Sequence, residues 1–218
     1  GAVPDFQSVT VPSGHTVWVP DTAVQVAGDV FSLGSAVDPG SGKVVEGYAF
    51  IHYKEGFGHT PNHVSKPARG SGGSSCFTFL ASGAKWKSVE PWMVNTANSR
   101  GLSGTFVFND LTADIAKWED AADGVVNGVA GANILGNGAA TTTTLVADLT
   151  SPDTVNEVYF ADIADPGVIA VTVVWGIFGG PPFARELIEW DMIFDDVSYD
   201  WSSSGEALKM DFENIATH

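Results

Sequence analysis

Apolar positions change their spacing along this chain, and the changes divide it. From residue 1 to 57 they come in short bursts: Phe6, Val9 and Val11, then Thr16-Val17-Trp18-Val19, Val24-Gln25-Val26 and Tyr48-Ala49-Phe50-Ile51-His52-Tyr53. Brief β-branched and aromatic runs bounded by Gly and Pro predict strands, so residues 1–57 are expected to form a small β-rich N-terminal module. Residues 58–75, rich in Gly, Ser, Pro and Lys, have nothing with which to build a core and are expected to be a flexible linker.

After the linker, Cys76-Phe77-Thr78-Phe79-Leu80 and Pro91-Trp92-Met93-Val94-Asn95 predict strands. Between Thr105 and Asp123 the period lengthens, because Val107, Leu111, Ile115 and Trp118 recur every three or four residues, as on one face of a helix. Gly and Asn from Gly124 to Ala140 predict a long surface loop, and the β-branched Thr141-Thr142-Thr143-Thr144 suits a strand or an extended loop. Val155 to Ile163, Val168 to Phe178 and Glu186 to Phe194 are strand candidates. The middle one is continuously apolar, which predicts cover on both faces. Near the end, Asp211 or a neighbour is placed to cap a helix whose Phe212, Ile215 and Ala216 share a core-facing side. The order from residue 85 is strand, helix, three strands, helix, an α+β pattern.

Composition narrows the function classes. The chain has 218 residues, 44% of them apolar, enough for a sizeable core. Its formal charge is −16, from 26 acidic and 10 basic residues, which argues against nucleic acid or an anionic membrane surface as partner. No run approaches the roughly 20 apolar residues of a membrane span. Gly1-Ala2-Val3 has neither the charged nor the apolar region of a leader, so the expectation is a soluble chain, already processed if exported. The lone Cys76 can form no disulfide within the chain. It is equally well read as a buried free thiol or as the partner of a cysteine elsewhere.

Several groupings invite chemistry and give little. His59 and His63 have the spacing of a helical metal pair, but Pro61 and the neighbouring glycines predict a solvated loop. Ser202-Ser203-Ser204-Gly205 lacks the setting of a nucleophilic serine. Asp195, Asp196 and Asp200 are candidate oxygen ligands for calcium, with an acidic turn facing water as the equal alternative. Spacing alone makes His218 a polar residue beside the apolar face of the last helix.

A resemblance sharpens this. Trp86-Lys87 through Pro91-Trp92-Met93-Val94-Asn95, with Asn98-Ser99-Arg100-Gly101-Leu102-Ser103 and Ala113-Asp114-Ile115-Ala116-Lys117-Trp118-Glu119, resembles the first strand and helix of matrixin-like zinc metalloproteases of the metzincin clan. Glu189-Trp190-Asp191-Met192-Ile193-Phe194-Asp195-Asp196 and Trp201-Ser202 resemble the last strand of that sheet and the turn after it. Asp211-Phe212-Glu213-Asn214-Ile215-Ala216-Thr217-His218 is similar to the approach to the first zinc-binding histidine. The resemblance covers about residues 76–218.

It implies a metzincin-like twisted mixed sheet with two helices, preceded by the β-rich module. Residues 76–218 would then be the N-terminal part of a catalytic domain. His218 would be the first of three zinc ligands, the general-base Glu and two further histidines being absent from the sequence. It further implies that Val168 to Trp175 is an edge strand that binds a peptide antiparallel, through Val171, Val173 and Trp175. Residues 1–75 become a propeptide or accessory module. Cys76 lacks the Pro-Arg-Cys-Gly setting of an inhibitory thiolate, so a bridge to a cysteine in a C-terminal remainder is the better specific reading. The expected protein is a secreted zinc endopeptidase, with calcium as a second candidate cofactor and a peptide or protein as substrate, inactive over these residues alone. The alternative is a non-enzymatic extracellular β-rich subunit that self-assembles through edge strands.

Overall fold

The computed structural model describes residues 6–10, 16–54, 80–123 and 133–217. Its centre is an eight-stranded mixed sheet. In chain order the strands and helices are β1 (Phe6–Thr10), β2 (Thr16–Pro20), β3 (Val24–Ala27), β4 (Val30–Val37), β5 (Val44–Tyr53), β6 (Trp92–Asn95), α1 (Gly104–Asp123), β7 (Gly138–Thr141), β8 (Asn156–Ala161), β9 (Val168–Ile177), β10 (Glu186–Asp195), β11 (Trp201–Ser202), β12 (Met210–Asp211) and α2 (Phe212–Thr217). The sheet order is β3-β4-β5-β9-β10-β8-β6-β7, with β1 and β2 pairing as a separate hairpin. Strands β10, β8, β6 and β7 run parallel, and β9 lies antiparallel to both β5 and β10.

This order corrects two expectations. The N-terminal strands are no separate module: β3, β4 and β5 continue the sheet formed by residues 92–195, and β5 pairs with β9 from Glu46↔Gly176 to Tyr53↔Val168. Strand β9 is therefore interior, not an edge, and its main chain is already paired on both sides. The predicted linker, Cys76, His59 and His63 lie outside the described residues.

Two apolar clusters hold the sheet, one on each face. The first joins Val19, Phe31, Leu33, Val45, Ala49, Ile51, Ala147, Val173 and Trp175. The second joins Trp92, Val94, Val107, Leu111, Val158, Phe194, Trp201 and Phe212 beneath the helices. Strand β9 feeds both, with Val173 and Trp175 on one side and Ile169 and Ala170 on the other, as its unbroken apolar sequence predicts.

Helix α1 begins where Ser103 Oγ accepts the Phe106 N–H at 3.1 Å, a side-chain cap. Val107 and Leu111 are buried, as their period requires. Asp211 caps α2 as expected, its Oδ1 accepting the Asn214 N–H at 3.2 Å. Strand β7 falls where a surface loop was expected. Its Gly138 lies opposite Trp92, and a Cβ there would stand 2.2 Å from the indole ring, so the glycine that reads as a loop signal makes room for a core tryptophan.

Candidate metal centre

Strand β10 alternates. Trp190, Met192 and Phe194 belong to the helical face, while Glu189 and Asp191 are turned to the other and buried, at 0% and 1% exposure. In register beside Asp191 on β8 lies Glu157, also buried. The loop from β7 to β8 brings Asp148 and Asp153 onto the same place. One carboxylate oxygen each from Asp148, Asp153 and Glu189 lie within 4.8 Å of one another. Among the described residues none of these five acids forms a salt bridge.

The loop is fixed by its backbone. Asp148 N–H donates to Asp191 Oδ2 at 2.9 Å, and Trp175 Nε1–H donates to the Asp148 carbonyl at 2.7 Å. Trp175 reaches that carbonyl because its neighbour across the ladder is Gly47, where a Cβ would meet the indole at 2.6 Å. The second Asp191 oxygen accepts the Glu157 N–H at 3.0 Å. Thr154, a β-branched residue held at φ 80, aims its N–H at Glu189 Oε2. By contrast Glu189 Oε1 and Asp148 Oδ2 are buried with no backbone or cationic donor, the two acids having only each other to share a proton with.

Burial dominates the electrostatics. It pushes Glu189 up to about 9 and raises Asp148, and the hydrogen bond between the two facing acids adds to the effect for Glu189. Burial, with the Asp148 charge, pushes Asp191 up to about 8. Burial, with the Asp153 charge, pushes Glu157 up to about 7. Such a group of oxygens can share protons or surround a hard cation.

The candidates from sequence lie elsewhere. Val173 and Trp175 are fully buried and Val171 partly so, all within the first core cluster. They cannot line a peptide edge because β5 covers it. Asp195, Asp196 and Asp200 do not converge; their carboxylates are committed separately. Buried Asp195 accepts the N–H groups of Val197 and Ser198 on Oδ1 and that of Ile163 on Oδ2. Asp196 accepts the Ser99 N–H at 2.7 and 3.0 Å, and Asp200 pairs with Arg100 at 3.3 Å. The calcium expectation for that turn is thus corrected: N–H donors already hold it. His218 lies outside the described residues. The acidic set was missed because Asp148 and Asp153 sit far from Glu189 in sequence, although the Glu189, Asp191 alternation on a strand was a readable signal.

Beside α2 lies an open cavity of about 360 Å³ on the helical face. Its lining includes Phe50, Thr172, Trp190, Ile115, Ala216 and Thr217. No helix among the described residues is long and apolar enough to cross a membrane. Comparison with protein-family models, with curated proteins and with solved structures finds no match for this chain.

Proposed function

We propose that residues 76–218, with β3, β4 and β5 completing their sheet, belong to the N-terminal part of the catalytic unit of a secreted, matrixin-like zinc endopeptidase. On this reading His218 is a zinc ligand, and the general-base glutamate and the other two histidines follow it. The observation that carries the reading is the seating of α2. Phe212 is fully buried with its ring 4.9 Å from Phe194, 5.7 Å from Phe160 and 5.8 Å from Trp201. Trp118 of α1 donates its indole N–H to the Thr217 carbonyl at 2.8 Å. A helix held this firmly at both ends is suited to presenting the next residues as metal ligands. The apolar cavity beside Ala216 and Thr217 is suited to covering by a C-terminal remainder of the same protein.

Zinc would supply Lewis-acid polarisation of a scissile carbonyl and of an attacking water. The peptide edge that the resemblance assigns to β9 is filled by the chain's own β5, so the reading is of a latent form. It is tested on the coding sequence and on the polypeptide continued past His218. Glu-x-x-His directly after His218, zinc bound at one per chain and casein cleavage lost on chelation are the expected results. A different continuation, or an extended chain that binds zinc no better than residues 1–218, ends it.

One observation favours the second reading, a non-enzymatic extracellular subunit that assembles through edge strands. Strand β3 is an outer strand of the sheet, and its Val24 and Val26 are 62% and 55% exposed. Apolar edge strands pair with further copies. Concentration-dependent association abolished by Val24→Lys supports that reading, and a chain monomeric at high concentration counts against it.

A further inference from the structure

We propose that Asp148, Asp153 and Glu189 form a calcium site that fastens the loop between β7 and β8 to the sheet. The inference is independent of the zinc reading: it concerns the other face of the sheet and needs no residue beyond those described.

Two separate observations point to a cation. The first is convergence, since carboxylate oxygens from a loop and from a central strand come within 4.8 Å of one another. The second is what Glu189 lacks. Its side chain is completely buried, yet its Oε1 meets no backbone N–H and no cationic donor, only the facing Asp148 carboxyl, whose Oδ2 has no such donor either. A buried carboxylate without a donor or a counter-charge is normally paired or ligated. Here the acids that act on Glu189, Asp191 and Asp148, supply no counter-charge. Lys and Arg are absent from the ion pairs of the set among the described residues.

The donor chemistry selects the ion. Every side chain offered is a hard oxygen and none is sulfur or imidazole, which disfavours zinc. Calcium tolerates irregular coordination by six to eight oxygens, whereas magnesium demands a tight octahedron. An irregular loop that carries one exposed ligand, Asp153, beside two more enclosed ones suits calcium with water completing the shell. Asp191 is a positioning residue: both its oxygens accept backbone N–H groups, one of them from Asp148, so it aims the loop and leaves its neighbours free for the ion.

The test is calorimetric titration of the EDTA-stripped 218-residue chain with CaCl2, with MgCl2 and ZnCl2 as separate arms. Thermal unfolding and amide exchange are followed in parallel. Saturable binding of one calcium is expected, with slower exchange at the Asp148 and Thr154 amides. Glu189→Gln and Asp148→Asn should each weaken it by about tenfold or more, and the exposed Asp153→Asn by several-fold. Asp196→Asn, outside the set, should bind as the parent does. No saturable calcium binding at millimolar concentration overturns the proposal, as does binding unaffected by Glu189→Gln and Asp153→Asn. Stronger binding of zinc or magnesium than of calcium, lost in the same variants, overturns the choice of ion. Should Glu189→Gln fail to fold, Asp153→Asn at the surface decides alone.

Discussion

On the helical face of the sheet, Phe160 and Phe194 meet Trp201 and Phe212, and Phe106 joins through Phe212, in a cluster of stacked and edge-on rings. On the opposite face the same two strands, β8 and β10, present Glu157, Glu189 and Asp191. One side buries neutral rings that stabilise through apolar area and ring-to-ring geometry. The other buries charge that stabilises nothing until a proton or a cation neutralises it. The helical face should therefore be indifferent to ions, and the acidic face should set how the molecule answers to them.

The largest expected effect breaks the first side. Phe212→Ala removes the ring at the centre of the aromatic cluster and should cost about 3–5 kcal/mol in urea unfolding. It should also free α2, seen as faster amide exchange from Asn214 to Thr217. Because the acidic set lies on the other face, the calcium-dependent stabilisation of this variant should match that of the parent, since distant sites add. A calcium response that vanishes together with the ring would show that the two faces are not independent.

Next in size is a change that crosses between them. Gly47→Ala places a methyl 2.6 Å from the Trp175 ring and should cost about 1–3 kcal/mol as the indole is displaced. The displaced indole loses the Asp148 carbonyl, so the variant should also bind calcium more weakly than its stability loss alone explains. Titration of the folded variant checks this, and unchanged affinity would mean that Trp175 does not orient the loop.

How far the sequence reveals this division depends on distance along the chain. Strands β6, β8, β9 and β10, helix α1 and the Asp211 cap of α2 are all readable, because periodicity and capping are local. Strand β4 is missed although Phe31 and Leu33 alternate inward; Gly34, at φ 86, breaks the apolar run and reads as a turn. Strand β7 is missed because Gly138-Ala139-Ala140 has little intrinsic strand preference and is held in place by Trp92. The neighbours of β9 cannot be read at all, since an apolar run declares burial but not which strand lies beside it. Pairing with β5 joins residues more than a hundred positions apart. The acidic set is hidden for the same reason, as Glu189 meets Asp148 only once the sheet exists.

A smaller effect concerns the outer edge. Val24→Lys on β3 should change stability by no more than about 0.5 kcal/mol, because the side chain is mostly exposed. Its readout is mass by light scattering across a concentration series. Association lost in the variant would locate self-pairing on β3, whereas the same association in both would move it elsewhere.

The smallest effect tests whether the helical face is as neutral as its rings suggest. Asp110 on α1 has a buried Oδ2 without a partner. Burial, then the charges of Asp114 and Glu213, push it up to about 6 against the opposing pull of Lys117. A carboxyl raised in the folded state binds its proton more tightly there than in the unfolded chain. Its contribution is thus fully present below the unfolded value of 3.8 and is lost as pH rises through about 6. Asp110→Asn imitates the protonated form at every pH. It should raise stability at pH 8 by about 0.3 kcal/mol, the side chain being only partly buried and screened, and make little difference at pH 4. Calcium should leave this gain unchanged, because Asp110 belongs to the ring-lined side. A gain that instead disappears with calcium would tie α1 to the acidic loop and remove the separation of the two faces.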